Sequence, residues 1–326
     1  MPYGPLWYLT GLEMTEFGVG SAAFRLPCTG WLQGPAGVVP GGVLALAAYG
    51  PLAAAIHTAL GPGRVPATSD LMLDVVRPPD PGSEGIVVRS RLVHEGGAQG
   101  LSEATIEDTD GHLLGRATAR CVIVDVPGPL PDPPHGALAW PEYPGPHPFE
   151  RPAEGEVLPQ DLWDRTSGID ILRGWQHGSL PRSPLASLLG AELRDVEDGA
   201  VTYAMPASRW FCGMQGALYG GCLALFADHA VHGAVQSVLP GGHAWATLDL
   251  TVRFLRPLVP GTDPLIARAR VVHRGRRLAV VAVEIAQSGV RPAMLADASL
   301  MLLPHRRWAD LAQLTDEPHD FQARRG

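Results

Sequence analysis

The stretch YGGCLALFAD, Tyr219 to Asp228, decides how this sequence is interpreted. It opens an almost wholly apolar, alanine-rich segment that runs from Gly220 to Leu239 and is stopped by a Pro-Gly-Gly turn. A helix that is apolar nearly all round has to be enclosed by other elements. The segment therefore predicts a buried central helix with a single acidic residue, Asp228, inside it.

The same pattern occurs earlier in the chain at an offset of 179 residues (220 minus 41). Residues 210–221, WFCGMQGALYGG, align with residues 31–42, WLQGPAGVVPGG. The offset also pairs Thr247 with Thr68, Asp249 with Asp70, Arg256 with Arg77, Pro257 with Pro78 and His273 with His94. Because one register holds across so many positions, the chain is predicted to be a tandem duplication.

Strand patterns surround each predicted helix. In the second copy a short extended run, 201–205, precedes the helix, and four runs follow it, near 247–254, 264–273, 278–287 and 293–303. Alternation in the first of these four places Leu248 and Leu250 on one face and Thr247 on the other. The predicted class is α+β, with two antiparallel sheets that each wrap around a central helix.

Composition divides the chain into four parts. We predict a first unit over 1–126, a proline-rich linker over 127–159, a second unit over 160–306 and a C-terminal tail over 307–326. The linker composition is typical of a semi-rigid extended segment. Asp161 to Trp175 is predicted to form a short amphipathic helix that leads into the second unit.

Charge and composition exclude several classes of function. The net charge of −8 argues against a nucleic-acid partner, and no apolar run reaches the length of a membrane span. The N-terminus lacks the pattern of a secretory signal, and the four cysteines form no cluster with metal spacing. We therefore expect a soluble, cytoplasmic protein with no cofactor and no metal.

An ordered set of motifs in the second unit resembles the PaaI-like acyl-CoA thioesterases of the hotdog superfamily. The set consists of Leu189-Gly190, Gly216 with Gly220-Gly221 and Asp228 at fixed spacing, Asp249 to Pro257, and Val272 to Arg276. It covers residues 185–303, and because the first unit shares the architecture, the whole chain is similar to double-hotdog thioesterases.

That resemblance implies a hotdog fold, acyl-CoA substrates and no metal. It also implies that Asp228 is the catalytic carboxylate and that the hydroxyl of Thr247 assists it. Two positions depart from the family pattern. Tyr219 stands where a histidine is usual, and Gly213 stands where an asparagine is common.

The duplication provides an internal control for Asp228, because Tyr49 holds the matching position in the first unit. A carboxylate that the fold required would be expected in both copies. We interpret Asp228 as a general base or a nucleophile, and a buried hydrogen-bonding or interface role is the alternative. His232, four residues further along the helix, lies on the face from which it can pair with Asp228.

Gly220 and Gly221 begin the predicted helix, where free backbone amides can stabilise a thioester oxyanion. The alternative is that the two glycines permit close packing of the helix, and the two roles are compatible. Thr247 is expected to orient the water molecule that Asp228 activates. Tyr219 either donates a hydrogen bond to the thioester or fills the space of the missing histidine.

The turn containing Arg274, Arg276 and Arg277 is a candidate phosphate-binding site, because guanidinium groups suit the phosphates of coenzyme A. A solvated basic turn is the alternative. The matching turn of the first unit, Glu95 to Ala98, carries no positive charge.

The sequence as a whole predicts a double-hotdog acyl-CoA thioesterase with one working site, at the seam where the two copies pack as a pseudo-dimer. Further association into a homodimer is possible. The alternatives are an acyl-CoA or acyl-carrier binding protein without turnover, and a hotdog hydratase or dehydratase.

Overall fold

The computed structural model describes residues 4–125, 146–213, 216–287, 291–305, 307–308 and 311. The first half of the chain contains α1 (Pro5–Thr10), β1 (Glu13–Gly18), β2 (Ser21–Pro27), α2 (Gly42–His57), β3 (Arg64–Val75), β4 (Gly85–Glu95), β5 (Gln99–Asp108) and β6 (Leu113–Asp125). The second half contains α3 (Gln160–Arg165), α4 (Gly168–Gln176), α5 (Pro184–Leu189), β7 (Glu192–Glu197), β8 (Ala200–Met205), α6 (Gly220–Ser237), β9 (His243–Phe254), β10 (Leu265–Arg274), β11 (Leu278–Gln287) and β12 (Met294–Pro304).

The two halves repeat one order of elements, which is two strands, a long helix and four strands. The predicted helix start at Gly220 and the four strands after it agree with the structure to within a few residues. Within the described residues each half has one strand more than predicted, because β1 and β7 were not recognised. These two strands lie at the outer edges of the sheet and carry few buried side chains, so their alternation is weak.

The strands form one antiparallel sheet in the order β1-β2-β4-β5-β6-β3-β9-β12-β11-β10-β8-β7. The prediction of two separate sheets is therefore wrong. β3 and β9 pair across the seam, with Asp70–Asp74 opposite Arg253–Asp249. This pairing satisfies strand edges that each half alone would leave open, and that is the physical reason the two sheets join.

The helices α2 and α6 pack against each other in antiparallel fashion beside the seam. Gly42 lies beside Asp228, and Gly221 lies against the backbone of Leu46. A Cβ atom on Gly42 would approach the Cβ of Asp228 to 2.6 Å, and one on Gly221 would lie 2.8 Å from the carbonyl oxygen of Leu46. The close approach of the two helices accounts for a glycine pair in each copy.

The segment between the halves is only partly described, and residues 127–145 of the predicted linker lie outside the described ranges. The described part of this segment, residues 146–158, contacts the first half at His147, Arg151 and Leu158. Leu158 is buried, and its amide donates to the carbonyl of Pro35. The single helix predicted over 161–175 is divided into α3 and α4, because Ser167 caps a new helix by accepting a hydrogen bond from the amide of Asp170.

Among the described helices, none is both long enough and apolar enough to cross a membrane.

Candidate active site

A β-bulge in β9 turns Thr247 toward the central helix. The pairing of β9 with β12 joins Thr247 to Leu300 and Asp249 to Ser299, so Leu248 is the extra residue. Thr247 is 5 % exposed and faces the interior together with Leu250. The predicted alternation, which put Thr247 on the face opposite Leu250, is wrong because the bulge reverses it.

The carboxylate of Asp228 is fully buried, with 0 % of the residue exposed, and it accepts hydrogen bonds at both oxygens. Oδ2 accepts from the backbone amide of Gly42 at 2.8 Å, and Oδ1 accepts from the hydroxyl of Thr247 at 3.1 Å. Gly42 is the first residue of α2, so the carboxylate meets the positive end of that helix dipole. Partners of this kind are what a buried carboxylate needs.

His232 connects Thr247 to Trp245. The indole Nε1 of Trp245 donates to Nδ1 of His232 at 3.2 Å. Because an indole N–H can only donate, Nδ1 is the acceptor and the ring proton is on Nε2. Nε2 lies 2.9 Å from the hydroxyl oxygen of Thr247 and 3.5 Å from Oδ2 of Asp228. Hydrogen bonds thus run in one direction, from Trp245 through His232 and Thr247 to Asp228.

The glycine pair that faces Asp228 comes from the first half, and not from the second half as the sequence suggested. Gly42 donates to the carboxylate, and a Cβ atom on Gly41 would lie 2.9 Å from the Cβ of Thr247. The structure does not bring Gly220 and Gly221 to Asp228, because they begin the same helix eight and seven residues earlier. We call Asp228, Thr247, His232 and Gly41–Gly42 the Asp228 site.

Gly220 and Gly221 belong to the equivalent place in the other half. A Cβ atom on Gly220 would lie 2.3 Å from the ring of Tyr49, so that ring covers the start of α6. The side chain of Thr68, the counterpart of Thr247, is near enough to the Tyr49 hydroxyl to act on its pKa. We call Tyr49, Thr68 and Gly220–Gly221 the Tyr49 site.

Tyr219 also lies at the Tyr49 site and not at Asp228. Its ring packs edge-on against Tyr49, with 4.9 Å between ring centroids, and its hydroxyl lies against Gly50. Burial raises the pKa of Tyr219, and burial likewise raises the pKa of Tyr49, with the Thr68 side chain acting in the opposite direction. Both phenols are therefore neutral near pH 7. The two rings fill the Tyr49 site with aromatic groups that cannot act as bases there.

One small cavity borders the Asp228 site at His232, and it shares lining residues with two larger clefts. An outer cleft of about 760 Å³ is lined by the β3–β4 loop and by Arg77 and Arg307. A small aromatic cavity of about 60 Å³ is lined by His232 and Trp245, and it shares Trp163 with the outer cleft. A second cleft of about 320 Å³ shares Tyr203 and His229 with the aromatic cavity. Sequence reasoning missed these tryptophans, because nothing in their spacing shows that they meet.

The arginine turn is exposed and lies at some distance from Asp228. Thr247, Leu300, Ala279 and Arg274 are register partners on four successive strands. Three strand spacings place Arg274 about 14 Å from Thr247. Arg276 and Arg277 continue the turn, and these guanidinium groups are not among the residues that line the three cavities.

In the described part of the chain one cluster has the spacing of metal ligands, namely Asp108, Asp110 and His112 in the β5–β6 turn. Hydrogen bonds within the turn already occupy Asp108, which accepts from the amides of Asp110 and His112 and meets the His112 ring at 2.9 Å. Partial burial acts to raise the pKa of Asp108, but the hydrogen bonds from His112 lower it overall. The cluster is explained as a stabilised turn.

Known structures share this fold over nearly the whole chain. The tesB protein of Mycobacterium avium subspecies paratuberculosis matches with a TM-score of 0.56 and 15 % identity, covering 90 % of this chain and 96 % of its own. Acyl-CoA thioesterase II TesB2 from Mycobacterium marinum matches with a TM-score of 0.51 and 14 % identity, covering 90 % and 95 %. A chain from Novosphingobium aromaticivorans matches with a TM-score of 0.56 and 15 % identity, covering 89 % and 97 %. At these identities the likeness shows the fold alone.

No curated protein sequence matches the chain. Residues 215–293 match the thioesterase superfamily, and this region contains α6, Asp228 and Thr247. The match to the thioesterase superfamily thus lies in the second half of the chain, and the chain as a whole shares the fold of the tesB and TesB2 structures.

Proposed function

We propose that this protein is a double-hotdog enzyme that hydrolyses an acyl-CoA thioester to the free acid and coenzyme A at the Asp228 site. The observation that carries the proposal is the buried carboxylate of Asp228, which is held by Thr247 and by the start of α2. Its counterpart in the other half is Tyr49. The fold therefore does not require a carboxylate at this position, and a carboxylate there is suited to act as the general base in hydrolysis of a thioester.

Asp228 acts as a general base in this proposal. The carboxylate is fully buried, and a water molecule needs less space beside it than the carbonyl carbon of a bulky thioester does. Asp228 takes a proton as the water oxygen bonds to the thioester carbon. The tetrahedral intermediate then expels the thiolate, which takes that proton back and leaves as the thiol.

The amide of Gly41 is placed to stabilise the oxyanion of that intermediate. Gly41 caps the start of α2, and its N–H has no hydrogen-bond partner among the described residues. Free amides at a helix start are suited to negative charge. In this account the oxyanion donor comes from the first half and the base from the second, so both halves are needed for one site.

A hydratase or dehydratase is the rival that the geometry raises, since His232 lies 3.5 Å from Asp228. Such chemistry needs a histidine nitrogen that is free to move a proton to or from the acyl chain. Both ring nitrogens of His232 are occupied, Nδ1 by Trp245 and Nε2 by Thr247. That arrangement supports hydrolysis, with His232 as a residue that positions Thr247.

The proposal is tested by incubating the protein with a panel of acyl-CoAs that includes saturated, trans-2-enoyl and 3-hydroxyacyl members. We expect release of free thiol, with no change in the double bond of the enoyl substrates. Binding without thiol release would indicate the non-catalytic alternative, and hydration without thiol release would indicate a hydratase.

Variants at two basic positions test whether the acyl group is carried by coenzyme A. The arginine turn is one, and Arg307 in the outer cleft is the other. Changing Arg276 and Arg277 together to Gln should raise KM for acyl-CoA several-fold with kcat nearly unchanged, as expected for lost uniform binding. An acyl-N-acetylcysteamine, which lacks the nucleotide, should be unaffected. If Arg307→Gln shows this pattern and the turn variant does not, the nucleotide lies in the outer cleft.

A further inference from the structure

Several buried polar atoms around the aromatic cavity beside His232 have no hydrogen-bond partner among the described residues. Its walls include the rings of Trp163, Trp175, Trp245, Trp308, Tyr203 and His229. Trp163 is central among them, with its ring centroid 6.0 Å from that of Trp245 and 6.4 Å from that of Trp175. Because His232 also lines the cavity, the cavity lies between the Asp228 site and a cluster of indole rings.

Three of the lining side chains carry a buried nitrogen with no hydrogen-bond partner in the described part of the protein. The atoms are Nε1 of Trp163, Nε1 of Trp175 and Nε2 of His229. Trp163 is 4 % exposed, so its N–H cannot be satisfied by bulk water. An indole N–H only donates, and a buried donor without an acceptor is unfavourable. A hydrogen-bond acceptor inside the cavity would satisfy the two indole donors.

The lining of the cavity favours an uncharged ligand group. The residues that line the cavity include no arginine, lysine, aspartate or glutamate. Burial, with His232 nearby, lowers the pKa of His229 to about 4, so that its imidazole is neutral near pH 7. A carboxylate or phosphate in this cavity would have no counter-ion, whereas an uncharged oxygen would accept from the indole donors.

The volume of the cavity favours a small ligand group. A cavity of about 60 Å³ is far below the several hundred Å³ of a site for a large ligand. It has space for a few non-hydrogen atoms and not for a long alkyl chain.

We propose that this cavity binds the acyl group of the substrate, and that the preferred acyl group is short and carries an uncharged oxygen, a keto or hydroxyl group beyond the thioester carbonyl, that accepts from Trp163 and Trp175. The inference rests on the proposed function for its location and goes beyond it by naming the substrate class. The Tyr49 site has no equivalent, because residues 163 and 175 precede the duplicated register and Gly50 stands where His229 does.

The test compares acyl-CoAs that differ only in the oxygen. Butanoyl-CoA is compared with 3-oxobutanoyl-CoA and 3-hydroxybutanoyl-CoA, and pentanoyl-CoA with 4-oxopentanoyl-CoA, so that the oxygen is presented at two depths. We expect at least one oxygenated substrate to exceed its saturated partner by about 10-fold or more in kcat/KM, because a site with buried donors discriminates against an analogue that leaves them unpaired.

Indole-to-phenyl variants identify the donors. Trp163→Phe and Trp175→Phe keep an aromatic ring and remove the N–H, so each should bring the ratio of oxygenated to saturated substrate toward one. Trp308→Phe is the matched control, since Trp308 lines the same cavity and its indole nitrogen is not among the buried unpaired atoms. That variant should keep the wild-type ratio.

A binding measurement separates this inference from the proposed function. The dissociation constants of the same pairs, measured by calorimetry on Asp228→Asn, report the preference whether or not the wild-type protein hydrolyses the thioester. Tighter binding of an oxygenated acyl-CoA supports the inference even if no thiol is released. Equal binding and equal kcat/KM across every pair would overturn it and would show that the cavity holds only structural water.

Discussion

Asp228 and Tyr49 occupy the same position in the two halves of this protein, and each faces the start of the central helix of the other half. Their contacts with that helix start differ. Asp228 accepts a hydrogen bond from Gly42 at the start of α2, whereas the ring of Tyr49 covers Gly220 at the start of α6. The glycine pairs are present on both sides because the helices pack closely on both sides. The glycine pairs are therefore common to both halves, whereas the buried carboxylate at this position is found in the second half alone.

The threonines sharpen this distinction. Thr247 and Thr68 both precede a β-bulge, at Leu248 and at Ser69, so the bulge belongs to the duplicated unit. Thr247 links His232 to Asp228. Thr68 instead meets Tyr49 and, at 3.6 Å, the sulfur of Cys121. The same backbone feature therefore serves a polar network in one half and a packed core in the other.

The largest effect is expected from Asp228→Asn. Loss of the base should lower kcat by at least about 100-fold. The amide can still accept from Gly42 and donate to Thr247, so the midpoint of unfolding should change little. Tyr49→Phe is the matched control and should leave kcat within about twofold. Thiol-release kinetics and thermal unfolding measure both, and more than a tenth of the wild-type activity in Asp228→Asn would remove this residue from the mechanism.

Removal of the threonine hydroxyls should separate activity from stability. Thr247→Val breaks the connection between His232 and Asp228, and at roughly 1–3 kcal/mol for a buried unpaired group we expect kcat to fall about 10-fold. Thr68→Val should destabilise the protein to a similar extent without lowering kcat. If the two variants lose activity equally, the two sites are not functionally different.

Trp245→Phe tests whether His232 is held in one tautomer. The phenyl ring keeps the packing against Trp308 but removes the donor to Nδ1. Loss of one hydrogen bond, worth about 0.5–1.5 kcal/mol, should lower kcat roughly 3- to 10-fold with little change in KM. The ¹⁵N resonances of His232 should show a single Nε2–H form in the wild type and a mixture in the variant. An unchanged tautomer would assign Trp245 to packing alone.

The smallest effect concerns stability in mild acid. The pKa of His229 is about 4 in the folded protein, lowered chiefly by burial, against 6.5 ordinarily, so the unfolded chain binds more protons between these values. The free energy of unfolding therefore falls as the pH falls below 6.5, and by pH 5.5 the loss should be about 1 kcal/mol. His229→Gln should remove this part of the loss. Denaturant unfolding of both proteins at pH 7 and pH 5.5 measures it, and parallel losses would contradict the assignment.

Sequence patterns predicted those features that depend on local periodicity. The duplication, the start of α6 at Gly220 and the strands β10 to β12 follow from apolar spacing and turn residues. Three features depend on contacts that periodicity does not encode. The first is the joining of the sheets at β3 and β9. The second is the inward orientation of the Thr247 side chain, which the extra residue of the β-bulge causes. The third is the contact of Asp228 with the glycines of the other half.

The candidate site divides in the same way. Asp228 and His232 lie four residues apart on the helix that the sequence predicted. Thr247 lies on the strand that follows this helix, so local spacing was enough to relate the three residues. Gly41 is 187 residues from Asp228 in the sequence. Because the sequence analysis considered each copy separately, it paired Asp228 with the glycines of its own helix and not with those of the other half. Trp163 comes from an element with no counterpart in the first half, and only the folded chain places it beside His232.

The number of productive sites per chain tests the central claim most directly. A thioether analogue of acyl-CoA, which cannot be hydrolysed, is titrated into the wild type, into Tyr49→Phe and into Thr247→Val, and stoichiometry is measured by calorimetry. The account predicts one molecule per chain in the wild type and in Tyr49→Phe, with affinity changed only in Thr247→Val. Two equal sites per chain, or loss of binding on changing Tyr49, would contradict it.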